Sequence, residues 1–407
     1  MKLLVQKFGG TSTVSRESRA HCVEHIKRAV DQGYAVVVVV SAMGRLGSPY
    51  ATDSLLSLLE NEPLLAKSEL DLFLSAGETI SAGVFSNALL NSGIRNTILT
   101  GGQAGIITDN QYNNASILSL NPLLLKEKLT QYPVVLVPGF QGITEDGFLT
   151  TLGRGGSDTT ASAIGTALEA EFIDIFTDVN GVYTADPNIV KEAQPLLSMT
   201  YNESCNLANM GAKVIHPRAV EMAMKGNVPI RIRSTFSNET GTMITSYTKD
   251  QSYRENLITG ITQTKGIKQF TVLREFDDTL FPLRVFKCLK EQKINVDFIN
   301  ITPDHTTFTI QKNDESLSRH LLENSEGYKV QIREESLAKV AIVGANMSGV
   351  PGVMSRIVES LTKSSIEIYQ SADSHSTIWV LIPELKMNQA VRILHNEFIL
   401  SKNRLQS

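Results

Sequence analysis

Short apolar runs alternate with amphipathic segments up to about residue 235. The most apolar run holds five consecutive valines, Val36 to Val40, and a strand that is apolar at every position is buried on both faces. Between the first two runs, Val23, Ile26 and Val30 recur at helical spacing. The other strand-like runs are residues 2–8, 95–101, 132–142 and 171–182. This alternation predicts an α/β domain with a mainly parallel sheet covered by helices.

Beyond residue 235 the chain becomes polar and rich in Ser and Thr, which predicts a linker over residues 237–257. A weak internal repeat follows, in which residues 268–310 and 338–381 share one pattern: a strand, a polar turn, an amphipathic helix and two more strands. The two helices would pack through residues four apart: Val285 and Leu289, then Ile357 and Leu361. The repeat predicts two copies of a small α+β module.

Composition narrows the classes of function. The chain has 407 residues, enough for about two or three domains. Its net charge of −4 gives no field for binding nucleic acid or an acidic membrane, so neither partner is expected. Cys22, Cys205 and Cys288 form no C-x-x-C pair, which argues against a disulfide framework or a metal site. Without a signal-like start or an apolar run near ~20 residues, we expect a cytoplasmic protein.

A lysine and two glycines follow the first predicted strand, in KFGGTS (7–12). Glycines at a strand end allow backbone N–H groups to approach an anion, although a plain tight turn explains the pair equally well. The chain lacks G-x-x-x-x-G-K-[ST], and no G-x-G-x-x-G follows its first strand. A dehydrogenase with a dinucleotide-binding fold is therefore a remote alternative.

Two later stretches also combine glycines with polar side chains. Residues 150–165 contain Arg154 and begin a helix for which Ser157 or Asp158 is the natural N-cap. The start of that helix offers N–H groups to an anion, and the arginine fork suits a carboxylate. Residues 175–190 end a buried strand in Thr-Asp, and open parallel sheets bind ligands at strand ends. We therefore expect an anionic ligand at one edge of the sheet.

Six motifs occur in the order found in aspartokinases: KFGGTS (7–12), SAMG (41–44), SAGETIS (75–81), GRGGSDTTA (153–161), FTDVNGVYTADP (176–187) and GAKVIHPRA (211–219). The whole chain resembles a monofunctional bacterial aspartokinase with two C-terminal ACT modules. Through QSADSHSTIWVL (370–381) it is most similar to the diaminopimelate-responsive kind.

The resemblance implies a fold and a set of domain boundaries. An amino acid kinase domain, a three-layer αβα sandwich on a mainly parallel sheet, would span residues 1–236. Two ferredoxin-like ACT domains would follow the linker, over residues 258–335 and 336–395. If the second is inserted within the first, residues 396–402 would return as a strand to complete the first.

The implied reaction transfers the γ-phosphoryl group of ATP, bound with Mg²⁺, to the side-chain carboxylate of L-aspartate. By resemblance, Lys7 would stabilise the transition state, Lys213 would hold the phosphates and Asp158 would orient both lysines. For Asp158 the alternative is a plain helix cap, and for Tyr183 a half-exposed turn aromatic. The implied nucleotide site consists of Lys7, Phe8, Gly9, Gly10, Thr177, Asp178, Tyr183, Asp186 and Lys213.

Aspartate recognition is implied for a second set: Ser41, Thr52, Glu78, Arg154 and Ser157. Arg154 would clamp a substrate carboxylate, and Glu78 would pair with the α-ammonium group unless it is a solvated glutamate at a helix start. His216 is expected to be structural. Many family members have arginine where this chain has Asn188, which would weaken one ATP contact.

ACT modules usually pair and bind an amino acid at their interface. The implied effector residues are Asp277, Asn295, Asp297, Asn300, Met347 and Gln370. Diaminopimelate is the first candidate effector and lysine, with or without threonine, the second; modules that only hold a homo-oligomer together are the alternative. Two other functions stay open, a kinase for glutamate or acetylglutamate and a catalytically silent amino-acid sensor.

Overall fold

The computed structural model describes residues 2–59, 64–212, 214–246, 257–275, 279–324, 327–345, 347 and 350–400. Within these residues the chain divides into two units. The N-terminal unit holds residues 2–182, 195–208 and 214–246, and the C-terminal unit holds residues 183–194, 209–212 and the described part of 257–400.

The strands of the N-terminal part are β1 (Lys2–Phe8), β2 (Tyr34–Val40), β3 (Asn96–Ile98), β4 (Ile106–Thr108), β5 (Ile117–Leu120), β6 (Val134–Pro138), β7 (Gln141–Ile143), β8 (Leu149–Thr151), β9 (Phe172–Thr177), β10 (Ser198–Thr200), β11 (Ile230–Ser234) and β12 (Thr242–Thr245). The helices are α1 (Gly10–Thr13), α2 (Arg16–Asp31), α3 (Thr52–Leu56), α4 (Lys67–Asn91), α5 (Leu123–Gln131), α6 (Gly156–Ala167), α7 (Tyr201–Asn209) and α8 (Pro217–Gly226).

An eight-stranded sheet forms the centre of this unit, in the order β10-β12-β11-β9-β1-β2-β6-β3. Every neighbouring pair is parallel except β11 with β12. Val36 to Val40 have no exposed surface, so the expectation of a strand buried on both faces is confirmed. On one face Phe8, Phe85 and Phe176 pack with residues of α2 and α4 in a single hydrophobic core.

A smaller sheet, in the order β5-β4-β7-β8, lies in the same unit and is tied to α4 by a buried carboxylate. Asp71, on α4, has no exposed surface. Its carboxylate accepts hydrogen bonds from the N–H and the hydroxyl of Thr151, both 2.7 Å long, and from the Asn113 N–H at 3.0 Å. These bonds fix the chain that leads directly into the glycine-rich stretch at 153–156.

The sheet of the first domain extends beyond the domain end predicted at residue 236. β12 lies inside the expected linker, yet it pairs with β10 and β11, so the sheet continues to Thr245. This strand could not be predicted from the sequence because its four residues carry no strong apolar pattern. Its pairing also depends on strands that are distant in the sequence. Residues 247–256 lie outside the described part of the chain.

The elements of the C-terminal unit are β13 (Gly260–Arg274), α9 (Phe281–Glu291), β14 (Asp297–Ile301), β15 (His305–Gln311), α10 (Glu315–Glu323), β16 (Tyr328–Ile332), β17 (Leu337–Val343), α11 (Val353–Lys363), β18 (Gln370–Asp373), β19 (Thr377–Pro383) and α12 (Met387–His395). Its strands run in the order β14-β15-β13-β17-β19-β18, with β16 also paired to β13. The two predicted α+β modules are both present, and they share the long strand β13.

The first module is inserted in the second, whereas the order considered in the sequence analysis was the second inserted in the first. The second half of β13 pairs with β15 and β16 and completes the first module without a returning strand. The first half of β13 pairs with β17 of the second module. Asn396–Leu400 forms a π-helical turn directly after α12, so the strand predicted over 396–402 is wrong for its described part. Leu394 of α12 and Phe398 of the π-helical turn both pack into the second module's core.

Residues 183–194, expected in the kinase domain, form part of the C-terminal unit's interior. Ala185 and Val190 are 3% and 1% exposed, in one core with Ile261. The Thr184 carbonyl accepts a 2.8 Å hydrogen bond from the Ile261 N–H, and the Thr184 hydroxyl lies 2.9 Å from Nε2 of the buried His395. In the described residues we find no helix with the length and apolarity needed to cross a membrane.

Candidate active site

A pocket of about 480 Å³ opens where several loops that follow strands of the large sheet meet. Most of the residues implied for catalysis and aspartate binding line it, although they are distant in sequence: Lys7, Gly10, Ser41, Thr52, Glu78, Arg154, Ser157 and Asp158. Parallel strands bring their carboxyl ends to one edge of a sheet, which is why separate motifs converge here.

Lys7 and Asp158 form an ion pair in this pocket. The Lys7 Nζ lies 2.7 Å from the Asp158 Oδ1, and the two side chains are only 12% and 14% exposed. Gly9 lies so close that an added Cβ would be 3.6 Å from the Lys7 amine. The pair therefore holds an ammonium group at a fixed position beside bare backbone, an arrangement suited to a multiply charged phosphate chain.

Gly10 allows two loops to touch. A Cβ added there would lie 2.4 Å from the Gly44 carbonyl oxygen and 2.7 Å from that of Ala42, both backbone atoms that cannot move independently. The Gly44 N–H donates a 2.9 Å hydrogen bond to the Gly10 carbonyl. Glycine is required here by close approach, and it positions the SAMG loop over the first strand end.

Glu78 is buried in the middle of α4, at 3% exposure, so the alternative of a solvated glutamate at a helix start is wrong. Burial raises the pKa of the Glu78 carboxyl to about 7, an effect that backbone N–H groups partly oppose. Its Oε1 accepts a 3.3 Å hydrogen bond from the Ala42 N–H, and no described residue bonds to its Oε2. The Oε2 of this side chain is therefore available to a ligand in the pocket that Glu78 lines.

The GRGG stretch leads into α6, and its N-cap differs from the prediction. Gly155 is the N-cap with a positive φ of 74°, and Ser157 and Asp158 lie in the first turn. A side chain at Gly155 would collide with the His216 ring at 2.2 Å, so tertiary packing excludes the usual capping residues. Asp158 is thereby free to pair with Lys7, and the alternative of a plain helix cap is wrong. Arg154 is exposed and makes no hydrogen bond or ion pair with the described residues.

Of the residues implied for nucleotide binding, Lys7 and Gly10 line the pocket. The Phe8 side chain is fully buried, stacked on Phe176 at 4.6 Å, so only its backbone remains for a ligand. Thr177 is the last residue of β9 and Asp178 follows it; the carboxylate of Asp178 pairs with Arg45 at 3.0 Å. Lys213 lies outside the described residues.

Tyr183 and Asp186 belong to the segment that packs within the C-terminal unit. Asp186 Oδ1 accepts hydrogen bonds from the backbone and the side-chain amide of Asn188, at 2.9 and 3.0 Å. Asn188 therefore stabilises the turn locally, a role that an arginine side chain at this position would not reproduce.

Four residues of the pocket were missed by the sequence interpretation: Arg45, Ala51, Asp53 and Phe140. Arg45 directly follows SAMG, which was a usable signal. Phe140 adopts a positive φ of 70°, a backbone conformation that the surrounding PGFQG pattern hints at without fixing. His216 is the N-cap of α8 and accepts a 3.3 Å hydrogen bond from the Arg218 N–H, in agreement with a structural role.

Among the implied effector residues, Asp297 and Gln370 lie near each other although they come from different modules. Asp297 pairs with the buried amine of Lys339, and the Gln370 side-chain amide donates a 2.7 Å hydrogen bond to the Phe298 carbonyl. Asn295 and Asn300 are exposed. Met347 is 5% exposed within the second module's core, so its side chain is not available to a ligand, contrary to the prediction. Asp277 lies outside the described residues.

Comparison with known proteins agrees with this arrangement. The amino acid kinase family matches residues 2–234, and an ACT domain family matches residues 332–396. Aspartokinase 1 of Bacillus subtilis is 50% identical over 406 residues, which cover 99% of this chain and 100% of the relative. The aspartokinase of Geobacillus stearothermophilus is 41% identical over 411 residues, covering 99% of this chain and 98% of the relative.

A solved structure shares the fold. The crystal structure of E. coli aspartokinase III in complex with aspartate and ADP superposes with a TM-score of 0.79 at 24% identity, covering 97% of this chain and 99% of that one. With the αβα kinase fold, the paired ACT modules and full-length relatives in agreement, the chain belongs to the aspartokinase family.

Proposed function

We propose that this protein transfers the γ-phosphoryl group of MgATP to the side-chain carboxylate of L-aspartate and releases 4-phospho-L-aspartate and ADP. This is the first step toward lysine and diaminopimelate, threonine and methionine, and we place it in the cytoplasm. The observation that carries the proposal is the Lys7–Asp158 pair in a pocket that also contains Glu78 and Arg154. Family membership at 50% identity supports it.

The chemistry needs alignment and charge neutralisation more than proton transfer. The attacking carboxylate is already ionised at neutral pH, since the ordinary pKa of an aspartate side chain is about 3.9. Two anions must nevertheless approach each other, and charge spreads over the transferring phosphoryl oxygens. An ammonium group held in place by Asp158 meets that need at Lys7, with N–H groups of Gly9 and Gly10 beside it.

Substrate recognition follows from complementary charge. Arg154 offers a planar fork that has no partner among the described residues, and such a fork suits the α-carboxylate of aspartate. Glu78 would pair with the α-ammonium group through its unpartnered Oε2, and ligand binding would supply the missing hydrogen bond. Hydroxyl groups would complete the amino-acid site: Ser41, Thr52 and Ser157.

For the nucleotide we propose contacts from the carboxyl end of β9 and from the residues that follow it. Thr177 and Asp178 would face the sugar and base, and Tyr183 and Asp186 would join them from the following turn. Lys213 would hold the phosphates. These roles rest on the motif FTDVNGVYTADP and on GAK, and the structure of a complex with a nucleotide would test them.

Acyl-phosphate formation tests the function directly. The purified protein would be incubated with MgATP and, in turn, aspartate, glutamate or acetylglutamate, and the product trapped with hydroxylamine. We expect hydroxamate from aspartate alone. Product from glutamate or acetylglutamate would indicate a different amino acid kinase. No product from any acceptor, with the chain folded and ATP bound, would indicate a silent sensor.

Glu78 predicts how aspartate use depends on pH. Only its ionised form attracts an ammonium group, and its pKa is raised to about 7. The ionised fraction, and with it kcat/KM for aspartate, should therefore rise about tenfold between roughly pH 6 and pH 8. Initial rates at low aspartate would measure this profile. Glu78→Gln should lower kcat/KM and flatten the profile; an unchanged slope in that variant would remove Glu78 from recognition.

We further propose feedback inhibition by an amino acid bound between ACT modules of a homo-oligomer, with diaminopimelate as the first candidate and lysine, with or without threonine, as the second. Asp297 and Gln370 mark the site, since each lies where the two modules come together. Asn295 and Asn300, exposed at the same part of the first module, would add polar contacts.

Replacing Gln370 with alanine should raise the effector concentration for half-inhibition about tenfold or more, because it removes a polar contact at the binding site. Uninhibited kcat should stay unchanged. Gln331→Ala, an exposed glutamine on β16, serves as the matched control. Inhibition curves of Gln370→Ala that coincide with those of the parent and of the control would place the effector elsewhere.

A further inference from the structure

A second cavity, of about 430 Å³, lies within the N-terminal unit and shares no lining residue with the active-site pocket. Residues of α2 form one wall, including His25, Arg28 and Ala29. The floor consists of β1, β9 and β11, and the chain entering β12 closes the far side. Gln6 reaches this floor, whereas its neighbour Lys7 lines the active-site pocket, because successive side chains of a strand point to opposite faces.

Three polar or charged side chains lie in one row across the floor, one from each of the neighbouring strands β1, β9 and β11. Gln6 is paired in register with Asp174, and Asp174 with Arg231. Asp174 has no exposed surface, and its carboxylate accepts hydrogen bonds from the Arg231 Nε and Nη2 at 2.5 and 2.9 Å. Arg233 Nη1 and Gln6 Nε2 add longer contacts of 3.4 Å each. The acceptor capacity of this one carboxylate is therefore used up.

The cavity retains positive charge and unused hydrogen-bonding groups. One carboxylate faces two guanidinium groups whose side chains are 24% and 18% exposed, and guanidinium does not lose its proton in proteins. The Nε of Arg233 is buried with no partner among the described residues, and the same holds for the Oε1 of Gln6, a residue 1% exposed. Arg28 also lines the cavity, although it pairs with Glu24 at 2.7 Å, so its charge is largely balanced.

His25 adds no charge to the cavity. Its Nε2–H donates a 3.0 Å hydrogen bond to the Thr235 carbonyl, and burial, with Arg233 and Arg28 nearby, lowers the pKa of the imidazole. An excess positive charge and unsatisfied polar atoms are costly in a partly buried cavity, because water solvates them less well there than at an open surface. A small oxyanion would satisfy them.

We propose that this cavity is a second ligand site, specific for a small molecule with a carboxylate or phosphate group. The oxyanion would lie against the guanidinium groups of Arg233 and Arg231 and accept hydrogen bonds from the N–H groups that Asp174 does not use, among them the Nε of Arg233. The Gln6 Oε1 would accept a hydrogen bond from a hydroxyl or ammonium group of the same ligand. Leu4, Ala29 and Met243 line the rest of the cavity and suit a short aliphatic body. This site stands independently of the reaction proposed above.

The test measures anion binding by the full chain in an Arg154→Ala background, so that the active-site pocket contributes little. Inorganic phosphate and succinate serve as separate probes in isothermal titration calorimetry. We expect one site per chain for at least one probe, and whichever binds more tightly assigns the class of ligand. Absence of binding for both probes would overturn the proposal.

Two further variants locate the site. Arg233→Gln removes one guanidinium and leaves Arg231 to pair with Asp174; Ala29→Met fills the cavity without changing any charge. Each should weaken binding about tenfold or more. Arg95→Gln, an exposed arginine elsewhere in the unit, is the control and should bind as the parent does. Thermal unfolding of every variant identifies those that are folded. Unchanged affinity in a folded Arg233→Gln or Ala29→Met chain would show that the anion binds elsewhere.

Discussion

Replacing Lys7 with alanine should lower kcat by roughly two to three orders of magnitude, the usual cost of removing one preorganised group that stabilises transition-state charge. The ammonium group is held 2.7 Å from Asp158 in a partly buried pocket, so water cannot substitute for it. KM for aspartate should change little, because Arg154 and Glu78 carry recognition of the amino acid. Initial-rate kinetics with aspartate and MgATP varied independently would separate the two parameters.

Controls distinguish this role from a general loss of structure. Lys2→Ala changes an exposed lysine on the same strand and should leave kcat unchanged. Lys7→Arg keeps the charge but replaces a compact ammonium by a planar fork, and we expect only partial recovery. Removing Lys7 also leaves Asp158 without its cation, so a melting curve must accompany the kinetics. Near-normal turnover in folded Lys7→Ala would exclude the lysine from the mechanism.

Replacing Asp71 with alanine should lower the unfolding free energy by about 3 kcal/mol or more, because three buried donors lose their acceptor at a cost of about 1–3 kcal/mol each. Three donors, the N–H and hydroxyl of Thr151 and the N–H of Asn113, would lose their acceptor in the interior. Urea unfolding followed by far-ultraviolet circular dichroism would measure the change. Asp71→Asn should recover part of it, since its amide retains one acceptor oxygen.

The chain provides an internal reference for that experiment. Its single tryptophan, Trp379, lies on β19 in the C-terminal unit, so its fluorescence reports that unit. A shift in the dichroism transition without a shift in fluorescence would localise the effect to the N-terminal unit. Asp146→Ala, an exposed aspartate in a turn, should change neither. An Asp71→Ala chain as stable as the Asp146→Ala chain would show that the carboxylate does not hold the small sheet.

Much of the fold was predictable because it depends on local pattern. Five valines in a row predict a strand buried on both faces, and apolar residues that recur every three to four positions over three turns predict an amphipathic helix. The pocket was predictable from the order of its motifs. What failed depends on contacts between distant residues: the His216 ring decides that Gly155 must be the cap of α6, and the second module's core draws Phe398 into a helical turn.

Residues 183–194 have a consequence for how such an enzyme can be shortened. A protein ending at residue 246 would keep the active-site pocket, yet Ala185 and Val190 would lose the apolar neighbours that cover them, and Thr184 would lose both Ile261 and His395. The Asp-Pro-Asn turn would then depend on its own short hydrogen bonds. Truncation at residue 246 would therefore disturb the segment that carries Tyr183 and Asp186, so an inhibitor-resistant enzyme is better sought among single substitutions in an otherwise complete chain.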